Sequence, residues 1–153
     1  MINLEKNNEK LQHNIQVARE HKIVLPTFAQ MKNPDLVPEK IKEGLKKVGL
    51  WDVDPLNLFR ITWHNEPTMQ GGTYGGVNFI EIPSSLSGVK ARIIIMIGKW
   101  FPTGCHKVGA SYGCLGPRLV TGQFDATYNK AVWPSTGNYC RGGAFNSKLL
   151  SCD

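Results

Sequence analysis

The sequence lacks any long apolar run and any recognisable export signal. No apolar run approaches the ~20 residues that a bilayer-spanning helix requires, and the amino terminus M-I-N-L-E-K-N-N-E-K is too polar for a secretory signal. We therefore expect a cytoplasmic protein that does not bind membranes.

Metal-binding spacings are also missing. The chain has no C-x-x-C pair and no histidines clustered at zinc spacing, so we predict no metal site. Without an export signal, the four cysteines are expected to be reduced thiols, mostly small buried residues. Cys105 lies beside His106, which suggests a nucleophilic pair, but neighbours in sequence rarely orient their side chains productively towards each other.

Basic residues exceed acidic ones, yet they form no continuous stripe. The 153-residue chain has 18 Lys and Arg against 12 Asp and Glu, a formal net charge of +6. A nucleic-acid surface needs clustered basic residues with interleaved aromatic ones, and the sequence shows none. The charge therefore favours a solvated basic surface, and we predict no nucleic-acid partner.

Residues 1–50 are predicted to form an N-terminal helical segment. Over residues 1–22, a thin apolar stripe recurs at helical spacing. It consists of Leu4, Leu11, Ile15 and Ala18. Pro38 is predicted to begin a second helix and Gly49 to end it.

Two features precede the more regular part of the chain. Residues 58–63 are a candidate strand, and residues 70–78 form a loop with four glycines, Q-G-G-T-Y-G-G-V-N. Because the loop lacks both the G-x-x-x-x-G-K-S/T and the G-x-G-x-x-G pattern, we interpret it as a flexible hairpin or substrate-edge loop rather than a phosphate site.

From residue 91 onwards the pattern is strand, turn, helix, strand, turn, helix. Residues 91–97 are continuously apolar, as in a strand buried in a parallel sheet, and residues 130–133 are a shorter candidate strand. Val108, Tyr112, Leu115 and Leu119 mark the first helix face. Gly116-Pro117 is expected to kink or interrupt that helix. In the second helix, Phe145 and Leu149 are four residues apart.

The two turns carry the residues that could bind a ligand or take part in a reaction. If both strands are parallel and adjacent, Lys107 and the segment Ser135–Asn138 converge at the carboxyl edge of the sheet. Partial burial and the positive helix end favour a neutral Lys107 amine, the form that attacks a carbonyl to make a Schiff base. Ser135–Asn138 offers hydroxyl and amide donors for a carboxylate. The plainer alternatives are a solvated surface lysine and an ordinary helix-capping turn.

Two segments resemble motifs of one enzyme family. F-P-T-G-C-H-K-V-G-A resembles the N-P-T-G-S-F-K-x-R-G-A stretch of the fold-type II, tryptophan-synthase-β-like family of pyridoxal 5′-phosphate enzymes, and its His-Lys pair is similar to the G-A-H-K of tryptophan synthase β chains. W-P-S-T-G-N-Y-C-R-G-G-A resembles the family's S-S-G-N-H-G-x-A-x-A turn and helix. The resemblance covers roughly residues 56–152, and within the family the chain most resembles cysteine synthases or β-subunit-like pyridoxal-phosphate proteins of unassigned substrate.

The resemblance implies an α/β fold. Residues 51–153 would form an incomplete pyridoxal-phosphate-binding domain, preceded by the helical segment 1–50. Its architecture would be a partial three-layer parallel sheet with helices on both faces, the front portion of the tryptophan-synthase-β-like fold. The full-length protein would form a homo-oligomer.

The resemblance also implies residue roles. Lys107 would form the Schiff base with pyridoxal 5′-phosphate and move the α-proton of an amino acid substrate. Asn138 would hydrogen-bond the cofactor's 3′-oxygen, and His106 would lie near its phosphate. Ser135, Thr136 and Gly137 would hold the substrate carboxylate. The implied reaction, by a lyase or a transferase, is β-elimination or β-replacement on serine- or cysteine-like substrates.

The chain departs from the family at two places. The family's glycine-rich phosphate cup lies downstream of the helix that follows S-T-G-N, whereas this sequence ends at Asp153, and Val108-Gly109 replaces the commoner x-Arg after the lysine. We therefore expect a truncated N-terminal part with weak or no turnover by itself. The alternative is a non-catalytic fragment or subunit that needs a partner chain to complete its fold.

Overall fold

The computed structural model describes residues 5–66 and 72–153. Within these ranges the chain is mainly helical. The α-helices are α1 (Asn8–Glu20), α2 (Phe28–Lys32), α3 (Glu39–Leu45), α4 (Ser84–Ser87), α5 (Lys107–Thr121) and α6 (Asn138–Leu149). Short 3-10 helices span Pro34–Leu36, Pro55–Arg60, Gly98–Trp100 and Pro102–Gly104.

The only sheet in the described ranges is a two-stranded antiparallel hairpin. Strand β1 (Phe79–Ile82) pairs with β2 (Ile93–Met96), with Phe79 opposite Met96 and Ile82 opposite Ile93. The predicted α/β fold, a partial three-layer parallel sheet like the front portion of the tryptophan-synthase-β-like fold, is therefore wrong. The residues between the strands, 83–92, are too few for a parallel crossover, which takes a dozen or more residues, so the strands can pair only as neighbours in a hairpin.

The other two predicted strands are not formed. Residues 58–63 begin inside the 3-10 helix Pro55–Arg60, which starts with proline and is capped by the Asp54 side chain. Residues 130–133 are irregular, and the backbone N–H of Ala131 donates to the carbonyl of Asp153 at 2.7 Å rather than to a neighbouring strand. In both places other side-chain and backbone partners replace the sheet that apolar composition alone suggested.

Each predicted helix forms where the structure describes it, but not every predicted end or interruption is correct. The first helix begins after Asn7, whose side chain accepts from the Lys10 amide at 3.1 Å; residues 1–4 of its predicted range lie outside the described residues. The second begins after Pro38 as expected, but it ends at Leu45, so the predicted end at Gly49 is wrong. α5 and α6 form at the predicted places, but α5 continues through Pro117, so the expected interruption is wrong. A proline removes one amide donor from a helix, and the hydrogen bonds on either side maintain α5.

The main hydrophobic core lies where α1, α5 and α6 meet. Asn14 connects α1 to the end of α5, because its buried amide donates to the carbonyls of Leu119 (3.0 Å) and Phe124 (2.6 Å) and accepts from Ala126 N–H (3.0 Å). The buried apolar residues around it include Val17, Leu58, Ile61, Phe101, Val108, Tyr112, Leu115, Leu119, Leu149 and Leu150.

The contact between His13 Nδ1 and Asp125 Oδ2, at 3.0 Å, lies beside this junction and makes the attachment of α1 sensitive to acid. Burial alone would raise the pKa of Asp125, but hydrogen bonds from His13, Thr127 and Tyr128 outweigh it and lower the pKa from 3.8 to about 2. A depressed carboxyl pKa stabilises the fold above pH 3.8, and this stabilisation disappears as the pH falls towards about 2. We expect His13→Ala to shift acid unfolding to higher pH, measured by circular dichroism across a pH series. Identical acid profiles for His13→Ala and the wild type would contradict this assignment.

Candidate functional site

The stretch Gly98–Ala110 connects β2 to α5, in the predicted order of strand, turn and helix. Two 3-10 turns, Gly98–Trp100 and Pro102–Gly104, form the connection. Thr103 is buried with a φ of 66°, a left-handed conformation that is uncommon outside glycine. Lys107 is the first residue of α5. Because β2 belongs to an exposed hairpin, Lys107 does not lie at the carboxyl edge of a parallel sheet, and that part of the prediction is wrong.

The second predicted segment leads into α6. Ser135, Thr136 and Gly137 are exposed, and Asn138 is the first residue of the helix. The Ser135 hydroxyl accepts from the Gly137 amide at 3.3 Å, and the Asn138 side-chain oxygen accepts from Arg141 at 2.7 Å. No side chain in the described residues caps the amide groups at the start of α6.

The two predicted segments are connected by direct packing of their helices. A Cβ atom at Gly142 would lie 2.8 Å from both the Val108 amide nitrogen and its Cα, so the backbones of α5 and α6 are in van der Waals contact next to Lys107. The buried Asn146 side chain donates to the Val108 carbonyl at 2.7 Å and to the Ser111 hydroxyl at 2.8 Å. This contact brings the first turn of α5 against the helix that begins at Asn138.

The side chain of Lys107 is exposed, in contrast to the partial burial that the sequence suggested. Its neighbour His106 stacks on Trp63, with ring centroids 5.6 Å apart and an interplanar angle of 25°. Cys105 Sγ lies 3.9 Å from His106 Nδ1, so these sequence neighbours do face each other, contrary to expectation. His106 and Trp63 border a largely apolar cavity of about 480 Å³.

Sequence reasoning missed a larger open cavity of about 640 Å³ between α5 and residues 129–133. Its lining residues include Cys114, Arg118, Phe124, Lys130, Trp133 and Tyr139. The signal available in the sequence was the four-residue spacing of Cys114 and Arg118, which places both on one face of α5. The interpretation of residues 130–133 as a strand concealed it.

The glycine-rich loop is described only in part. Residues 70 and 71 of its predicted range 70–78 lie outside the described residues. In the remainder, the Gly72 carbonyl accepts from the Arg60 guanidinium at 2.9 Å, and the Gly75 amide donates to the His64 carbonyl at 2.8 Å. These contacts attach the loop to residues 60–64.

No protein-family model, curated protein or solved structure matches the chain. Among residues 5–66 and 72–153, no helix has both the length and the apolar character required to cross a bilayer.

Proposed function

We propose that the chain is the Lys107-bearing part of a cytoplasmic, pyridoxal-phosphate-dependent amino acid enzyme that catalyses β-elimination or β-replacement on serine- or cysteine-like substrates. The observation that carries the proposal is the contact at Gly142, which joins the helix of Lys107 to the helix of Ser135–Asn138. The two motif resemblances support it. The tryptophan-synthase-β-like parallel sheet is not part of the proposal.

The residues present are chemically suited to this cofactor. The Lys107 amine is exposed and can reach an aldehyde carbon. The amides at the start of α6 lack a capping side chain, and the Ser135 hydroxyl lies beside them, so a substrate carboxylate would find donors at the positive end of a helix. The bound cofactor supplies an electron sink, and the protein supplies position and electrostatics.

In this proposal Lys107 would hold the cofactor through its amine and would move the substrate's α-proton. The Ser135, Thr136 and Gly137 segment would orient the substrate by its carboxylate, while Asn138 and His106 would help to hold the cofactor. Asn138 would exchange its hydrogen bond with Arg141 for one to the cofactor. This exchange is feasible because both side chains are solvent-accessible.

Covalent trapping tests the assignment of Lys107. The chain is incubated with pyridoxal phosphate, reduced with borohydride and mapped by peptide mass spectrometry. We expect the main adduct on Lys107, its loss in Lys107→Ala and its retention in Lys99→Ala, because Lys99 is an equally exposed lysine of the same stretch. An adduct spread evenly over exposed lysines, or centred on Lys130, would contradict the proposal.

The exposed hairpin favours a second candidate function, a subunit completed by a partner chain. Ile80 is 57% exposed and Ile95 is 45% exposed, and they face each other on one side of the sheet. Phe79 and Met96, a cross-strand pair on the other side, are exposed as well. Contiguous exposed apolar residues of this kind mark protein interfaces, and an open two-stranded hairpin leaves strand edges unpaired.

Sedimentation velocity tests the second candidate function, because it measures whether the chain associates. We expect the purified chain to associate, and we expect the double variant Ile80→Thr, Ile95→Thr to sediment as a monomer because the apolar pair is removed. A well-behaved wild-type monomer would argue against the need for a partner. Lys107 trapping does not depend on this result, so the two candidates can fail separately.

A further inference from the structure

We propose that the 640 Å³ cavity between α5 and residues 129–133 binds a planar aromatic compound carrying one phosphate, in the class of nucleoside monophosphates. Its volume lies within the range of small-molecule sites, roughly 300–1,000 Å³. Neither Lys107 nor Ser135–Asn138 lines it, so its lining differs from the site described above, although Trp133 and Tyr139 lie on either side of Ser135–Asn138 in the sequence.

Two cations border the cavity from different parts of the chain. Arg118 projects from α5 and Lys130 from the irregular segment, and both are exposed. Within the described residues neither side chain makes an ion pair or a hydrogen bond, so both cations are available to an anionic ligand. The guanidinium fork matches the geometry of a phosphate, and the ammonium adds a second positive charge.

The aromatic rings of Trp133 and Tyr139 line the same cavity, and their positions are fixed by contacts within the protein. Trp133 donates from Nε1 to the Ser147 hydroxyl at 3.0 Å and meets Tyr139 edge-on, with centroids 5.5 Å apart at 76°. The indole fits against α6 because residue 143 is glycine: a Cβ there would lie 2.2 Å from the ring. A ring fixed by a hydrogen bond and by packing gives a planar ligand a surface on which to stack.

An amide adds a polar contact at the same cavity. Asn129 lines it, and its Oδ1 accepts from the Asp125 amide at 2.8 Å, so its Nδ2 group is the remaining donor of that side chain. Cations, an aromatic face and an amide donor together match a nucleobase joined to a phosphate more closely than a purely apolar ligand.

Equilibrium dialysis with AMP tests the site, because AMP has no aldehyde and its binding is independent of lysine chemistry. We expect adenosine and inorganic phosphate each to bind about tenfold more weakly than AMP, since each keeps only half of the contacts. Arg118→Gln and Lys130→Gln should each weaken AMP binding about tenfold. Lys40→Gln, which removes an exposed lysine of α3, should leave binding unchanged.

Cysteine footprinting gives a second readout that needs no variant. Cys114 is exposed and lines the cavity, whereas Cys105 lies outside it. AMP should slow alkylation of Cys114 by iodoacetamide and leave Cys105 unaffected.

The proposal is overturned if AMP protects neither thiol or both equally, if adenosine binds as well as AMP, or if Lys40→Gln weakens binding as much as Arg118→Gln. Lys130 lies outside any helix, so its variant still tests the site if Arg118→Gln disturbs α5.

Discussion

Replacing Arg60 with methionine should lower the free energy of unfolding by about 3–5 kcal/mol, because breaking a buried hydrogen-bond network is among the most destabilising single changes. Arg60 is 2% exposed. Its guanidinium donates to the carbonyls of Val48, Leu45 and Gly72 and to the side-chain oxygen of Asn57. One side chain therefore connects the end of α3, the following loop and the chain after residue 71.

The loss of stability comes from the buried acceptors that have no donor once Arg60 is replaced by methionine. Methionine replaces the apolar stem of Arg60 but donates no hydrogen bond, and each buried acceptor without a donor costs roughly 1–3 kcal/mol. Burial lowers the pKa of Arg60, yet a guanidinium remains protonated at neutral pH. The four acceptors thus depend on it throughout the physiological range.

Urea unfolding of Arg60→Met against Arg92→Met provides the measurement. Arg92 also makes two hydrogen bonds, to Glu81 at 2.9 and 2.8 Å, but this pair lies on the surface. Exposed ion pairs contribute little because solvent screens them. We therefore expect Arg92→Met to unfold close to the wild type. Equal destabilisation of the two variants would show that the buried network has no special role.

Substituting Gly142 with alanine should destabilise the protein by about 1–3 kcal/mol through overpacking. The added Cβ would lie 2.8 Å from the backbone of Val108, which cannot rotate away as a flexible side chain could. α6 would have to move away from α5 and from the first turn that carries Lys107. The same variant should therefore also reduce trapping of pyridoxal phosphate.

Gly113 on α5 is the matched control. Nothing lies within 4 Å of a Cβ built there, and alanine is favoured over glycine inside a helix by roughly 1 kcal/mol. Gly113→Ala should accordingly stabilise the protein, so the two glycine-to-alanine variants differ in sign. Thermal unfolding followed by circular dichroism measures both, and a gain in stability for Gly142→Ala would contradict the close packing of α5 on α6.

The positions of α1, α3, α5 and α6 were predictable because their signals are local. Asn7 caps α1, Pro38 precedes α3, and α5 and α6 follow apolar spacings of three and four residues. Every one of these signals lies within a few residues of the element it specifies. The position of β2 was predictable for the same reason, since a continuous apolar run marks a strand.

Strand pairing and burial were not predictable in this way. The run at residues 91–97 was interpreted as buried between helices, whereas Ile94 and Ile95 are exposed in a hairpin. Arg60 belonged to a predicted strand and is instead the most highly bonded side chain of a 3-10 helix among the described residues. Which residues a strand or a guanidinium contacts depends on chain segments far away in the sequence.

The sequence by itself determined the approximate positions of α1, α3, α5 and α6, the turn that leads to Lys107 and the motif pair that suggests its chemistry. Only the tertiary structure decided that β1 and β2 form an antiparallel hairpin, that α6 packs on α5 through Gly142, and that Arg118 and Lys130 border one cavity. The division follows from the range of the interactions: capping and periodicity act within one or two helical turns, whereas pairing, close packing and cavities depend on contacts between distant segments.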